Sequence, residues 1–278
     1  RMRESDDVST ALFGELFTPQ EAESAGRPDE ASTAARRAWK LAGRAGDLWR
    51  GPMAAMIPAG LATQGADSVE ALYWAAQAEG GLRELQADDD LRQLDWSRAG
   101  ALIGLGRVDE ARVLLERLQI SGPPDAARVE YAAMAECGLG ELARLEGDPQ
   151  RGIEHYRRAL ESFRDPAQRG SPWHGMVLAA LLSAGIADGS LNTEEQAEYA
   201  RRLRFRALVM NRVRPAGIDD RPVLGAQALG LSAWLITHPE LRARGLELLA
   251  LAEQLHGRQD LPSLHWGPHR AAAEAVAG

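Results

Sequence analysis

Two short stretches of the chain have the residue types and spacing of a ligand-binding motif. His265 and His269 lie four residues apart, a spacing at which two histidines on one helix can bind zinc. Gly267 and Pro268 between them disfavour a continuous helix, and no third ligand is close in the sequence. Residues 138–143, GLGELA, match a dinucleotide fingerprint that requires a strand before it. They lie inside a predicted helix instead, so we attribute these glycines to helix packing and expect neither metal nor cofactor.

The remaining reactive side chains form no catalytic pattern. Cys137 is the only cysteine, which excludes an internal disulfide and a cysteine-cluster metal site. No G-x-S-x-G sequence is present. Three acids, Asp88, Asp89 and Asp90, stand at a predicted helix start, where the helix dipole favours negative charge. We therefore predict a protein that is not an enzyme.

Charge and hydrophobicity narrow the class of partner. The 278 residues have a formal net charge of −8, whereas nucleic-acid-binding domains normally present a basic face to phosphate. We therefore expect no direct nucleic-acid contact. No apolar run approaches the roughly 20 residues of a membrane span, and no secretory signal is visible. These features predict a cytoplasmic protein without membrane contact, and the opening residues, RMRESDD, suggest a fragment of a longer chain.

One stretch departs from this acidic balance. Residues 200–214, ARRLRFRALVMNRVR, form a basic predicted helix. Arginines on a helix surface are most often solvated and paired with nearby acids. The functional alternative is a docking surface for an acidic partner, such as another domain of the parent protein.

The spacing of apolar residues predicts an all-α fold. Leu and Ala recur three and four residues apart, as in helices, and no segment alternates apolar and polar residues as a strand would. The predicted helices lie at residues 30–44, 50–64, 67–86, 91–105, 108–119, 124–146, 149–163, 172–187, 193–213, 222–237, 240–256 and 263–277. We expect three parts: a weakly ordered lead-in (1–29) with a short helix near 10–17, helical repeats (30–213), and C-terminal helices that pack on and cap the repeats (214–278).

The helices recur with a regular period. Gly65, Gly106 and Gly147 each follow a helical stretch and lie 41 residues apart, and Gly189 comes one residue late on the same schedule. A helix-turn-helix unit of this length indicates a solenoid, because one hairpin cannot bury its own apolar face and neighbours must stack. The Gly- and Pro-containing residues 214–222 mark a possible boundary between subdomains.

One repeat resembles a tetratricopeptide repeat. Residues 139–163 read LGELARLEGDPQRGIEHYRRALESF, with small residues where that family crosses two helices and a bulky residue where it fills the gap between repeats. These positions are Gly140, Ala143, Gly152 and Ala159 for the small residues and Tyr156 for the bulky one. The resemblance implies a right-handed superhelical solenoid of antiparallel helix pairs.

The same resemblance assigns side chains to a concave groove. In tetratricopeptide-repeat proteins, fixed positions of the first helix of each repeat line the groove. Carried over to this chain, those positions are Gln93, Trp96, Met134, Cys137, Glu141, Arg144, Met176 and Ser183. We expect Trp96, Glu141 and Arg144 to share one concave surface, which would suit a peptide tail or a small aromatic ligand. On this view, Arg144→Ala weakens binding and leaves the fold intact.

The C-terminal part resembles a family of bacterial regulators. Residues 219–260 include the run LLALAEQLHGRQD, which is similar to the C-terminal region of actinobacterial AfsR-like antibiotic regulatory proteins and related large ATP-binding transcriptional regulators. In that family, DNA-binding and nucleotide-binding domains precede the repeats, and neither is found in this sequence. The resemblance implies a protein-interaction or effector-sensing domain of a regulator of secondary metabolism. A free-standing adaptor that tethers two proteins is the alternative.

Overall fold

The computed structural model describes residues 7–120, 126–165, 171–212 and 220–277, and over these ranges it contains thirteen α-helices and no strand. The prediction of an all-α fold is confirmed. Two helices, α3 and α9, have the predicted bounds. The helices are α1 (Val8–Ser24), α2 (Pro28–Ala45), α3 (Arg50–Gln64), α4 (Ser68–Glu84), α5 (Asp88–Gly104), α6 (Val108–Ile120), α7 (Ala126–Leu145), α8 (Pro149–Glu161), α9 (Pro172–Ala187), α10 (Thr193–Arg212), α11 (Arg221–Ile236), α12 (Arg242–Gln254) and α13 (Trp266–Ala277).

Residues in the left-handed backbone conformation follow the first helix of several repeats. Gly106, Gly147 and Gly189 follow α5, α7 and α9 with φ of 70°, 85° and 64°, a conformation that glycine adopts without steric strain. At the turn after α3 the sequence pattern is one residue off, because Ala66 rather than Gly65 has the positive φ, at 60°. The 41-residue period therefore reflects one recurring turn.

Consecutive helices pack as six pairs, from α1 with α2 to α11 with α12, and each later odd-numbered helix also packs on the helix before it. Burial differs between the two members of a pair. Helix α9 buries eleven of its sixteen residues, whereas α8 buries six of thirteen. The same contrast holds between α11 and α12, so in these pairs the odd-numbered helix is enclosed by neighbours while the even-numbered helix keeps a face in solvent. The predicted solenoid of helix pairs is confirmed.

Helices α7 and α8 cross closely where the small residues predicted it. A Cβ atom added at Gly140 of α7 would lie 3.0 Å from the carbonyl oxygen of Gly152 in α8 and 3.4 Å from the ring of Tyr156. Tyr156 itself is fully buried. The two backbones can approach this closely only because neither glycine has a side chain.

Both ends of the chain belong to the solenoid more fully than the sequence indicated. The lead-in contains a long helix, α1, that packs on α2 as the first pair, rather than a short helix near residues 10–17. At the other end, α11 and α12 form the sixth pair and α13 packs on both. Most of the predicted boundary at 214–222 lies outside the described residues.

The two ends of the solenoid meet. The guanidinium of Arg221, at the start of α11, donates to the carbonyl of Ala25 at 3.3 Å. A Cβ added at Gly26, in the turn after α1, would lie 3.3 Å from the carbonyl oxygen of Leu255, at the end of α12. The six pairs therefore form a closed ring with the odd-numbered helices on its inner side.

Candidate functional site

A stretch of chain after α12 runs through the inside of this ring, and we call it the axial segment, residues 257–265. The N–H of Gln259 donates to the carbonyl of Gln64, the last residue of α3, at 2.8 Å. The guanidinium of Arg258 lies 3.6 Å from the carboxylate of Glu23 in α1. A single 3-10 turn (Pro262–Leu264) packs on α9 and α11. The axial segment thus touches inner helices from both ends of the chain.

Glu141 of α7 binds the axial segment through its carboxylate. Its side chain is buried, and one carboxylate oxygen accepts hydrogen bonds from the Tyr156 hydroxyl (2.6 Å) and from the N–H of Ser263 (2.9 Å). The other oxygen accepts from Arg144 at 2.6 Å, and Arg144 donates onward to Asp188 at 2.5 Å. A buried carboxylate is tolerated when paired and hydrogen-bonded in this way.

Protonation states in this cluster follow from the same contacts. Burial opposes the charge on Arg144, but the carboxylates of Asp188 and Glu141 outweigh it and raise the pKa of Arg144 above its ordinary value. Burial, helped by Glu141, also raises the pKa of Tyr156 well above its ordinary value. The guanidinium therefore stays charged and the phenol stays a hydrogen-bond donor.

Arg258 holds the other end of the axial segment. It forms two hydrogen bonds to Asp260, at 2.8 and 2.7 Å, and its guanidinium lies over the ring of Trp173 at 4.9 Å. Burial would lower the pKa of Arg258, but Asp260 and Glu23 outweigh it and raise the pKa above its ordinary value. The contacts with Glu23 and Trp173 tie this end of the segment to α1 and α9, and the paired hydrogen bonds to Asp260 hold the guanidinium in that orientation.

The larger of the two inner cavities, about 600 Å³, lies beside the axial segment between α1, α3, α5 and α7. We call it the aromatic cavity because rings and methionines form much of its wall. They are Phe13, Phe17, Trp49, Trp96, Tyr131, Trp173, Met53, Met56 and Met134. Phe13, Phe17 and Trp49 are 45 %, 62 % and 55 % exposed and mark its mouth. The volume falls in the range of about 300–1,000 Å³ typical of small-molecule sites.

Some polar groups in this wall have no protein partner among the described residues. The indole N–H of Trp96 is buried and makes no hydrogen bond there. Glu130 is half-buried and forms no ion pair within those ranges. The amide of Gln93 is exposed. Buried donors nearly always find a partner, so the Trp96 N–H is an exception in this wall.

The smaller inner cavity, about 360 Å³, lies on the other side of the axial segment, and we call it the tail cavity because α13 forms part of its wall. Its polar wall includes Glu141, Arg144 and Asp188, which are joined to one another as described. The hydroxyl of Ser183 is buried there without a partner in the described residues. The charges of the tail cavity are thus committed to holding the fold.

The residues that sequence analysis placed in one groove lie in three places. Gln93, Trp96 and Met134 share the aromatic cavity. Glu141 and Arg144 line the tail cavity. Met176 is 1 % exposed and packs in the hydrophobic core. The expectation of a single surface for Trp96, Glu141 and Arg144 therefore needs correction, because the axial segment lies between the two halves of the inner face.

Other candidates from the sequence have local explanations. His265 precedes α13, and Nε2 of His269 lies 2.9 Å from the carbonyl of Ser263. Burial raises the pKa of the Cys137 thiol well above its ordinary value, which makes it unreactive. Across residues 7–120, 126–165, 171–212 and 220–277, no cluster of three or more potential metal ligands is found. No described helix has the length and apolarity needed to cross a bilayer.

Sequence reasoning missed the axial segment itself. The helix predicted from residue 263 starts at Trp266, and the residues before it leave the helical pattern. The available signal was an acid and two leucines in a short linker, Asp260, Leu261 and Leu264, which are all buried. Linkers between helices are usually exposed, so these residue types do not by themselves reveal burial.

No protein-family model matches this sequence, and no curated protein matches it. Eight solved chains match it by structure. One is titled BtubC (BKLC) from P. vanneervenii, which has a TM-score of 0.46 and 18 % sequence identity over 88 % of this chain and 91 % of that chain. Similarity at this level carries no conclusion about function.

Proposed function

We propose that this chain is an effector-sensing domain that binds a small, largely aromatic molecule in the aromatic cavity. In this proposal it belongs to a bacterial transcriptional regulator of the kind that its C-terminal part resembles. It performs no chemistry on the ligand. Binding instead biases the conformation of the protein that carries it, which requires that the ligand prefer one of two states.

One observation carries the proposal: the axial segment occupies the path that an extended peptide would take through the ring. It makes backbone hydrogen bonds to Gln64 and Glu141 along that path. What stays open is a compact cavity of about 600 Å³, which suits a drug-sized molecule better than a peptide strand. Methionine-rich walls adapt to ligands of varied shape.

The wall also indicates the class of ligand. The exposed rings of Phe13, Phe17 and Trp49 offer stacking surfaces to a ligand. Arg258 is committed to Asp260, so the wall offers no free cation at that point, while Glu130 has no partner in the described ranges. A neutral or positively charged aromatic molecule fits this balance, because cations are attracted to ring faces.

The axial segment gives the cavity a route to the rest of the molecule. Arg258 and Asp260 form part of the cavity wall, and the same segment continues into α13. A ligand that displaces Arg258 from the ring of Trp173 would therefore act on both ends of the solenoid, since Arg258 also contacts Glu23 of α1. This coupling is what a sensing role requires.

The second candidate, a free-standing adaptor, relies on a groove for an extended peptide. The axial segment argues against that use of the inner face. Sequencing the complete reading frame separates the two roles: an upstream nucleotide-binding domain supports the regulator, and its absence supports the adaptor. The two readings predict the same fold, so the fold does not choose between them.

A cavity-filling substitution tests ligand binding. Gly60 lines the aromatic cavity, and a Cβ added there would meet no atom within 4 Å. Gly60→Phe should fill the cavity and leave the fold intact. The probe is Nile red, an uncharged aromatic dye whose fluorescence rises on transfer from water to an apolar site. We expect saturable binding to the wild type and its loss in Gly60→Phe.

Gly80→Phe is the matched control, because Gly80 is an exposed helical glycine whose added Cβ also meets nothing within 4 Å. This variant should bind the dye as the wild type does. Thermal denaturation of all three proteins verifies that they are folded. Undiminished dye binding by folded Gly60→Phe would contradict the proposal.

A further inference from the structure

A second surface lies on the outer side of the ring, formed by α10, α11 and α12. We infer that this α10–α12 groove binds an amphipathic helix of a partner protein that carries acidic residues beside its apolar stripe. The groove has a volume of about 820 Å³. It shares no lining residue with the aromatic cavity, so this inference stands apart from the proposed effector site.

The groove has the dimensions of a helix-binding site. Its two walls are helical stripes with the same spacing: residues 197, 200, 201 and 204 of α10, and residues 244, 247, 248 and 251 of α12. Each stripe spans two helical turns, about 10 Å at 1.5 Å per residue. A guest helix would lie between the two walls and contact each of them at i, i+3, i+4 and i+7 positions.

The floor is apolar and only partly covered. Leu231, Trp234 and Leu235 of α11 form the floor, and none of them is fully buried. Leu251 on one wall is 41 % exposed. The indole N–H of Trp234 is buried and has no hydrogen-bond partner in the described part of the chain. A partly covered apolar floor between polar walls is typical of an interaction surface.

Charge identifies the kind of partner. Residues 200–212 contain five arginines and no acid, in a chain whose net charge is −8. Arg201 and Arg204 of α10 and Arg244 of α12 stand in the groove walls, against a single acid, Glu247. Arg201 is paired with Glu198, but Arg204 and Arg244 are exposed and have no ion-pair partner in the described ranges. Acidic side chains on a guest helix would complement them.

We place in this groove the alternative role of the basic helix, which is to dock an acidic partner. Not every arginine of the helix takes part, since Arg206 donates to the carbonyl of Ser171 at 2.8 Å and Arg202 lies over the ring of Tyr199 at 5.6 Å. These two have structural roles. Arg204 and Arg244 are the pair that we assign to the partner.

Selection from a peptide library tests both the shape and the charge of the guest. A phage-displayed library of helical peptides, with leucines fixed at i, i+3, i+4 and i+7 and flanking positions open to Glu, Lys or Gln, is selected on the full chain. We expect enrichment of Glu at the flanking positions. Enrichment of Lys, or no enrichment of any sequence, would overturn the inference.

Matched variants place the enriched peptide on the molecule. Fluorescence anisotropy with the synthetic peptide should give binding that is weakened about tenfold by Arg204→Glu or by Arg244→Glu, since reversed charges repel the guest. Arg44→Glu is the control, because Arg44 is an exposed arginine of α2 without an ion-pair partner in the described ranges. It changes net charge equally and should leave binding unchanged. Equal weakening by all three variants would overturn the assignment.

A second copy of this chain is the competing occupant. Sedimentation velocity of the wild type and of Arg204→Glu distinguishes a partner helix from a second copy of the chain. A monomer in both cases supports the partner helix. A wild-type dimer that Arg204→Glu dissociates would overturn the inference in favour of self-association.

Discussion

The two inner cavities share the axial segment as a wall and differ in how they use charge. In the tail cavity Glu141 accepts three hydrogen bonds, and Arg144 bridges it to Asp188. In the aromatic cavity the wall consists largely of rings and methionines, and the buried N–H of Trp96 has no partner in the described residues. The first cavity is therefore a structural joint, whereas the second keeps exposed rings, Phe13, Phe17 and Trp49, in its wall.

The comparison shows that charged residues on an inner face are not by themselves evidence of a binding site. The sequence predicts Glu141 and Arg144 to line a ligand groove, yet here Glu141 binds the backbone of the axial segment and Arg144 bridges Glu141 to Asp188. Because unpaired buried charge is costly, buried ions usually have partners within the protein. Unpaired polar atoms and exposed rings are the better indication of a ligand.

The largest expected effect is the loss of Glu141. Glu141→Leu leaves the charge of Arg144, the hydroxyl of Tyr156 and the N–H of Ser263 without their acceptor. Breaking a buried ion pair costs about 3–5 kcal/mol. Urea denaturation should show a loss of this size, and Glu146→Leu, which removes a more exposed acid of the same region, should lose about 1 kcal/mol or less.

Arg144→Ala should have the next largest effect, in contrast with the sequence expectation that it leaves the fold intact. It removes charged hydrogen bonds to Glu141 and Asp188, each worth about 1.5–3 kcal/mol at most. We expect a free energy of unfolding that is lower by about 3 kcal/mol. Dye binding in the aromatic cavity should be unchanged in the protein that remains folded. A stable variant with weakened dye binding would show that the two cavities act as one site.

A third prediction compares two glycines of the inner helices. Gly140→Leu places side-chain atoms against the backbone of Gly152, and overpacking of this kind costs typically about 1–3 kcal/mol. Gly60→Leu extends into open space and should cost little beyond the change in packing. Melting temperatures of the two variants measure the difference. Equal melting temperatures would mean that the helix crossing at Gly140 has as much free space as the cavity wall at Gly60.

The smallest effect concerns pH. Burial lowers the pKa of His269 below its ordinary value of 6.5, with a further contribution from nearby His265. The unfolded chain then takes up a proton before the folded chain does, so stability is complete above pH 6.5 and falls as the pH drops below it. His269→Asn should reduce this dependence between pH 7 and about 5.5, and the remaining slope belongs to His265, whose pKa burial also lowers. Urea denaturation at several pH values measures the slope.

His256→Asn is the control for this measurement. His256 is exposed and has a positive φ of 50°, which asparagine tolerates well. The variant should keep the wild-type pH dependence. If the slope of unfolding free energy against pH changed equally in both variants, His269 would not be the cause of the pH dependence.

Local patterns explain which parts of this structure the sequence predicted. The spacing of Leu and Ala predicted the helices, and the small residues Gly140 and Gly152 located a close crossing of α7 and α8, because both signals act within a few turns of chain. Gln93 of α5 and Met134 of α7 lie 41 residues apart at equivalent positions of successive inner helices, and Trp96 lies one turn from Gln93 on the same helix, so the three share a cavity. These are properties of neighbouring repeats, which sequence periodicity reports directly.

The axial segment escaped prediction because its contacts are distant in the chain. The hydrogen bond from the N–H of Ser263 to Glu141 joins residues 122 positions apart, and no local pattern encodes such a pair. The ring closure at Ala25 and Arg221 has the same character, with a separation of 196. Without these contacts, Glu141 and Arg144 look like free charges on an open groove.

The position of the axial segment in the sequence means that it is synthesised after the helices that surround it in the ring. Chains emerge from the ribosome N-terminus first and their domains fold in that order, and residues 257–265 follow all six helix pairs. A nascent chain that has completed α12 therefore holds a ring whose centre is still vacant. The axial segment and α13 are then added to surfaces already made, and during that interval another segment of chain could take the same place beside Glu141.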